Sequence, residues 1–190
     1  TGIVVTSRLS HATPAAFYAH VASRQEEGEI MRQAVAQNLT LALGGGRRWL
    51  LPVVAGGSRQ DGADLLEELA RRGYRVVGTR EELASCRDLP LFGVFAADHL
   101  VAEIDRPALA PDQPSLTEMT AKALELLGAR PEGFFLLIEG SQIDFAAHVH
   151  DPGYLLGELR QFDAAVALAL DFARRDGQTL LVVLADHATG

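Results

Sequence analysis

The stretch Phe134-Phe135-Leu136-Leu137-Ile138-Glu139-Gly140-Ser141-Gln142-Ile143-Asp144-Phe145-Ala146-Ala147-His148 decides how this chain is read. Its first five residues are continuously apolar. Such a run suits a strand covered on both faces, as in a parallel sheet. Glu139 follows at once, where the strand should leave the sheet. Asp144 and His148 are four residues apart, so one helical turn aims both side chains at the same point. Leu180-Leu181-Val182-Val183-Leu184 is a second apolar run, and Asp186 and His187 come directly after it. Taken singly, each cluster has a plainer reading: a helix-start Asp144 with a surface His148, or an N-capping Asp186 with a polar loop residue. Together they favour a metal centre, because open α/β sheets bind ligands outside the carboxyl ends of their strands. Carboxylate plus imidazole suits zinc, and an all-oxygen set suits magnesium.

Outward from that stretch, strand and helix signals alternate. Gly2 to Ser7 reads as a strand, and Pro14 suits the first turn of a helix running to Ser23. A second helix is expected over Gly28 to Gln37. Leu39 to Leu43 reads as a buried strand that breaks at Gly44-Gly45-Gly46. That glycine run could cradle phosphate, but it lacks the Lys-Ser/Thr of a phosphate-binding loop and fits a plain turn. Asp64 to Arg72 is amphipathic and stops at Gly73. Tyr74 to Val77 reads as a strand, Glu81 to Cys86 as a short helix and Leu91 to Phe95 as another strand. This alternation predicts parallel pairing in an α/β sheet. Leu100 to Pro114 holds Pro107, Pro111 and Pro114 and is expected to be an irregular surface excursion, a place for a partner subunit. Ser115 and Glu118 form a capping box for a helix to about Leu127. Tyr154 to Arg175 is the longest helix expected, with Leu155, Leu159, Phe162, Val166 and Leu170 at helical spacing.

The 190 residues suffice for one domain with a sizeable core, and nothing marks an internal boundary. A composition of 48% apolar and 22% charged residues is ordinary for a globular protein. The net charge of −8 argues against a nucleic-acid partner. It leaves room for a small anionic substrate, because a metal centre reverses the local field. No apolar run approaches a membrane span, and no signal peptide is visible. Cys86 is the only cysteine, so an internal disulfide is excluded and the compartment stays open. Thr1 opens almost directly into a strand, and Gly190 follows the Asp186-His187 cluster closely. Both ends read as cut from a longer protein.

Thr13 lies in the loop after the first strand. Its hydroxyl could join a hard-cation site beside Glu139 or cap the helix at Pro14. Arg24, at the end of that helix, fits a solvated arginine or a bidentate phosphate fork. His20 and His99 carry no ligand pattern, and His150 is near enough to His148 to support it.

These residues stand in a telling order: Ser10-His11-Ala12-Thr13-Pro14-Ala15-Ala16, Arg24, Leu43-Gly44-Gly45-Gly46-Arg47, Arg59-Gln60-Asp61-Gly62, Glu139-Gly140 with Ile143-Asp144 and His148, then Ala185-Asp186-His187. Over essentially the whole chain this pattern resembles the alkaline phosphatase family of metal-dependent phosphomonoesterases. The resemblance implies a three-layer α/β sandwich with a mostly parallel sheet and helices on both faces, incomplete at both ends. It implies two zinc ions, one magnesium ion and a phosphoserine intermediate. By position, Asp144 and His148 resemble ligands of the first zinc, Asp186 and His187 of the second, and Thr13 and Glu139 of the magnesium. Arg24 resembles the arginine that clamps two phosphate oxygens. His11 stands where some members carry Asp, and Phe145 where others carry Lys or Trp, so both are expected just behind the ligands. The substrate implied is a small phosphate monoester. A homodimer and a periplasmic or secreted location come with the family.

The departures are specific. The family's nucleophilic Ser follows an Asp, and this chain has no Asp-Ser pair; Ser7, Ser10 and Ser23 lack that context. An Asp shared between metal sites is expected upstream, and a last zinc-binding His downstream of Gly190. Each metal site would then lack one ligand within these residues, and this stretch by itself would bind zinc weakly without serine-dependent turnover. Two other readings remain open: a phosphodiesterase or sulfatase-like hydrolase of the same superfamily, and a non-catalytic metal-binding remnant. The arginine favours monoesters.

Overall fold

The computed structural model describes residues 1–189. Five parallel strands form one sheet in the order β3-β4-β2-β1-β5. They are β1 (Gly2–Arg8), β2 (Leu41–Gly45), β3 (Arg75–Val77), β4 (Leu91–Val94) and β5 (Leu136–Glu139). The crossovers carry α1 (Ala12–Ala16), α2 (Glu27–Ala36), α3 (Leu65–Arg71), α4 (Arg80–Ser85), α5 (Arg106–Leu109) and α6 (Leu116–Gly128). After β5 come α7 (Gln142–His148) and α8 (Pro152–Asp176).

Strand alternation divides the core into two layers. Ile3, Val5, Ala42, Phe92 and Val94 pack with Ile30, Met31, Val35, Leu65 and Leu69 of α2 and α3. Val4, Leu41, Leu43, Val77 and Leu91 face the other way, against Leu83, Met119, Ala123, Leu127 and Ala165 of α4, α6 and α8. Consecutive residues of one strand thus serve opposite layers, as the period of two requires. Each fully buried aliphatic side chain stabilises the fold by about 1.5–3 kcal/mol, an upper estimate. The expected sandwich, with helices on both faces, is what forms.

The helix starts follow the sequence closely. Ser115 and Glu118 close the anticipated capping box on α6, and Thr79 with Glu82 closes another on α4. Asp151 accepts from the N–H groups of Gly153 and Tyr154 and starts α8. Leu100 to Pro114 is irregular apart from the single turn of α5. No helix among the described residues is long and apolar enough to cross a membrane.

Several expectations need correction. The helix at Pro14 ends at Ala16, not Ser23. Tyr18 is buried and donates its hydroxyl to the Leu9 carbonyl at 2.6 Å, which bends the chain off the helical path. Arg24 and His20 therefore sit in a loop. The glycine run is only partly a turn: Gly44 and Gly45 extend β2, and Gly46 takes the left-handed conformation at φ 98°. The seam of α8 holds Glu158, Ala165 and Ala169, with Phe162 of the expected apolar stripe packed beside them, while Leu159 and Leu170 of that stripe are partly exposed. Small side chains let α8 approach α6 closely, and Gly128 of α6 abuts the Phe172 ring. Finally, Leu180 to Leu184 forms no strand. Leu180 is 86% and Val183 52% exposed. The segment has no strand partner, so β5 is a sheet edge and is half-buried rather than covered on both faces.

Candidate metal centre

The site grows from the carboxyl ends of β1 and β5, which are neighbours. Val5 pairs with Glu139, so Glu139 is the last residue of β5 and leaves the sheet beside the chain that becomes α1. Thr13 lies inside α1, whose N-cap is His11. This overturns the capping reading of Thr13. Its side chain instead bears on the Glu139 carboxyl and helps to hold that group's pKa down. Burial raises the pKa of Glu139; hydrogen bonds from Ser141 and Thr13 oppose that, and the negative charges of Asp186 and Asp144 push the same way as burial. The carboxylates of Glu139, Asp144 and Asp186 thus share one electrostatic neighbourhood.

The helix carrying Asp144 and His148 is pinned to the sheet at its first turn. Gln142 is buried and uses its whole amide. Its Nε2 donates to the Thr6 carbonyl at 3.0 Å and the Leu100 carbonyl at 2.9 Å. Its Oε1 accepts from the Tyr154 hydroxyl at 2.5 Å. A buried polar network satisfied in this way fixes geometry. One turn later His148 Nε2 lies 3.5 Å from Asp144 Oδ1, the face-sharing that the four-residue spacing predicts.

Asp186 and His187 sit in irregular chain and are largely exposed. His187 Nε2 is 3.1 Å from Asp186 Oδ2. Thr189 joins the two clusters: its hydroxyl donates to Asp144 Oδ1 at 2.5 Å and lies 3.3 Å from His187 Nδ1. His148, His150, His187 and Thr189 line one cleft.

A third group flanks these carboxylates. Arg24 Nη2 lies 3.1 Å from His11 Nε2. The rings of His11 and Phe145 meet edge to face at 5.3 Å, and His99 contacts both. Burial lowers the His11 pKa to about 4, helped by the charges of Arg8, His99 and Arg24 and opposed by Asp144. Neutral His11 can therefore accept from Arg24 without setting a second positive charge beside it. Behind it, Arg8 binds Glu27 at 2.5 Å and Asp98 at 3.0 Å, and Ser10 donates to the same Glu27 oxygen at 2.7 Å. That clamp holds the loop leading to His11 and Thr13.

The structure brings together Thr13 with Glu139, Asp144 with His148, Asp186 with His187, and His11 with Arg24 and Phe145. It does not close them into complete coordination sets: among the described residues, no three His, Cys, Asp or Glu side chains converge to hold a metal ion. Thr189, Ser141 and His99 escaped the sequence reading. Thr189, three residues after Asp186, carried no periodic signal. His99 comes close through a loop packed against β2, a contact no local pattern encodes.

Comparison with known proteins agrees with this fold. The family description "Alkaline phosphatase" matches residues 1–190. Alkaline phosphatase 4 of Bacillus subtilis (strain 168) is 36% identical over 196 residues, covering 100% of this chain and 40% of the relative. The crystal structure of Thermus thermophilus alkaline phosphatase superposes with a TM-score of 0.94 at 40% identity, covering 100% of this chain and 39% of that one. A histidine-to-glutamate variant of the alkaline phosphatase from the Antarctic bacterium TAB5, with Mg bound in its M3 site, gives a TM-score of 0.75 at 30% identity, covering 93% and 48%. The chain thus spans about two fifths of the length of the first two. With a family match from end to end and relatives at this identity, the chain belongs to the alkaline phosphatase family.

Proposed function

We propose that this protein hydrolyses phosphate monoesters with the help of bound zinc and magnesium. The observation that carries the reading is the meeting of two carboxylate–imidazole pairs, Asp144 with His148 at 3.5 Å and Asp186 with His187 at 3.1 Å, which Thr189 joins. Clustered carboxylates call for cations, and the donor chemistry sorts them. Thr13 and Glu139 offer oxygen alone, which suits Mg2+. Asp144 with His148, and Asp186 with His187, offer oxygen and nitrogen, which suits Zn2+. Bound there, the cations would offset charge on the entering and leaving oxygens and ease deprotonation of water.

The chain's own residues do the rest. Arg24 offers a planar fork of donors that matches two phosphate oxygens. Its charge offsets that on the equatorial oxygens as the phosphoryl group transfers. His11 holds one guanidinium nitrogen and is itself backed by the Phe145 ring. The serine nucleophile of the family pattern follows an aspartate; with no Asp-Ser pair in these 190 residues, the phosphoserine step is assigned to a residue outside them.

The test is substrate profiling of the full-length protein with p-nitrophenyl phosphate, bis-p-nitrophenyl phosphate and p-nitrophenyl sulfate, before and after chelation. Hydrolysis of the monoester far above the other two, lost on chelation and restored by Zn2+ with Mg2+, is the expected result. Preference for diester or sulfate would move the assignment to another hydrolase of the superfamily. Turnover insensitive to chelation would remove the metals from it.

A further inference from the structure

Ser141 sits between a strand and a carboxylate. Its Oγ accepts from the Ser7 backbone N–H at 3.2 Å and donates to Glu139 Oε2 at 2.6 Å. A serine hydroxyl has a single proton. The amide of Ser7 approaches the oxygen, so the proton is directed at Glu139. Ser141 is 5% exposed and Ser7 fully buried, so water competes little for either bond. Rotation of the turn is blocked next door, where Gln142 N–H donates to Thr6 Oγ1 at 3.3 Å. Its side-chain amide is anchored to the Thr6 and Leu100 carbonyls. One oxygen of Glu139 is therefore tied to a donor held from β1.

We propose that Ser141 is a specificity-determining positioning residue that holds Glu139 in a one-oxygen binding mode and so selects Mg2+ over Ca2+. The proposal rests on the reading of Glu139 as a magnesium ligand. Mg2+ requires near-octahedral single-oxygen bonds at about 2.0–2.1 Å, whereas Ca2+ accepts six to eight oxygens at about 2.3–2.6 Å and often takes both oxygens of a carboxylate. A charge-assisted O–H···O bond to Oε2 must weaken before Glu139 can offer both oxygens equally. The hydroxyl thus penalises the calcium geometry and leaves the magnesium geometry intact. Support of the ligand by a hydrogen bond from outside the coordination set is a general lever on metal affinity.

The experiment is calorimetric titration of the full-length, chelator-stripped protein with MgCl2 and, separately, CaCl2, for wild type, Ser141→Ala, Ser141→Thr and Glu139→Gln. Thermal unfolding of each metal-free variant runs alongside. Ser141→Ala should lower the Mg2+/Ca2+ affinity ratio by about tenfold; Ser141→Thr, which keeps the hydroxyl, should preserve it. An unchanged ratio in Ser141→Ala overturns the proposal. Equal weakening for both cations also overturns it, because that is the mark of general structural support. Should Ser141→Ala fail to fold, the Thr variant decides: a ratio that collapses despite the retained hydroxyl sinks the idea. The Glu139→Gln control separates the two levels. If it leaves Mg2+ binding intact, the ligand reading itself fails. If it abolishes binding while Ser141→Ala keeps the wild-type ratio, only the role of Ser141 fails.

Discussion

Nε2 of His11 lies 3.1 Å from the guanidinium of Arg24. A neutral imidazole can accept one of the arginine's donors without cancelling its charge. Replacing it with a carboxylate changes that balance. His11→Asp should pair with Arg24 as an ion pair and draw it from a phosphate anion. The added negative charge should also strengthen cation binding near Thr13 and Glu139. We expect roughly tenfold tighter Mg2+ and several-fold weaker inhibition by inorganic phosphate, an effect typical in size for residues just outside a metal's ligands. Mg2+ titration and phosphate inhibition of the full-length protein measure both, and no change in either would argue against this placement of His11.

The same imidazole makes a pH prediction for the metal-free protein. Its pKa in the fold is about 4, below the ordinary 6.5. Between those values the unfolded chain binds a proton that the folded chain does not, so stability rises with pH across that window and flattens above it. Below about pH 4 both states are protonated and the contribution is constant. Because the ring is partly solvated, we expect a span on the order of 1 kcal/mol after screening. Urea unfolding of wild type and His11→Gln from pH 4 to 7 should show this slope in the wild type and a shallower one in the variant.

Glu139 runs the opposite way. Burial and the charges of Asp186 and Asp144 raise its pKa. Its folded form therefore holds a proton more tightly than its unfolded form, and stability falls as pH rises from the unfolded toward the folded value. Once ionised, the carboxylate burdens the metal-free fold. Glu139→Gln should stabilise that fold while abolishing stabilisation by Mg2+, a site-versus-stability trade. Thermal unfolding with and without Mg2+ checks it; a destabilised Glu139→Gln would mean that the lost hydrogen bonds outweigh the relieved charge.

The sheet was legible where a strand's apolar run and its neighbours agreed. Ile3, Val4 and Val5 lie in β1 between β2 and β5, fully buried, and Ser115 with Glu118 marked the start of α6 to the residue. Leu180 to Leu184 carries the same kind of apolar run, yet strand formation needs a paired edge as well as propensity. Pro14 to Ser23 failed for a tertiary reason, since docking of Tyr18 outcompetes helix propensity. Within the site, Asp144 with His148 was readable because helical spacing is local. Thr13 beside Glu139 was one of two readings that its place after β1 allowed, and the His11–Phe145 contact was not read at all, because it joins distant segments of chain. Ser141 and Thr189 were invisible for the same reason.

The last prediction concerns how β2 shapes the site from behind. A Cβ on Gly45 would lie 1.9 Å from the Asp98 carbonyl oxygen, which is backbone and cannot swing aside. That oxygen accepts from Gly46 N–H at 2.8 Å, so the segment bearing Asp98 and His99 rests directly on the end of the strand. From there Asp98 binds Arg8, and His99 Nδ1 lies 3.1 Å from the Arg8 backbone nitrogen. Gly45→Ala must push this segment away, at a cost of about 1–3 kcal/mol or more for overpacking. The consequence should reach the chemistry, because Arg8, Ser10 and Glu27 brace the loop that carries His11 and Thr13. We expect a lower Tm together with weakened Mg2+ binding in Gly45→Ala. Asp98→Ala keeps the glycine and removes only the salt bridges, one of them to an exposed arginine, so it should lose less of both. If Gly45→Ala lowered Tm but bound Mg2+ as tightly as wild type, the brace would be structural only and its link to the Thr13 loop would fall.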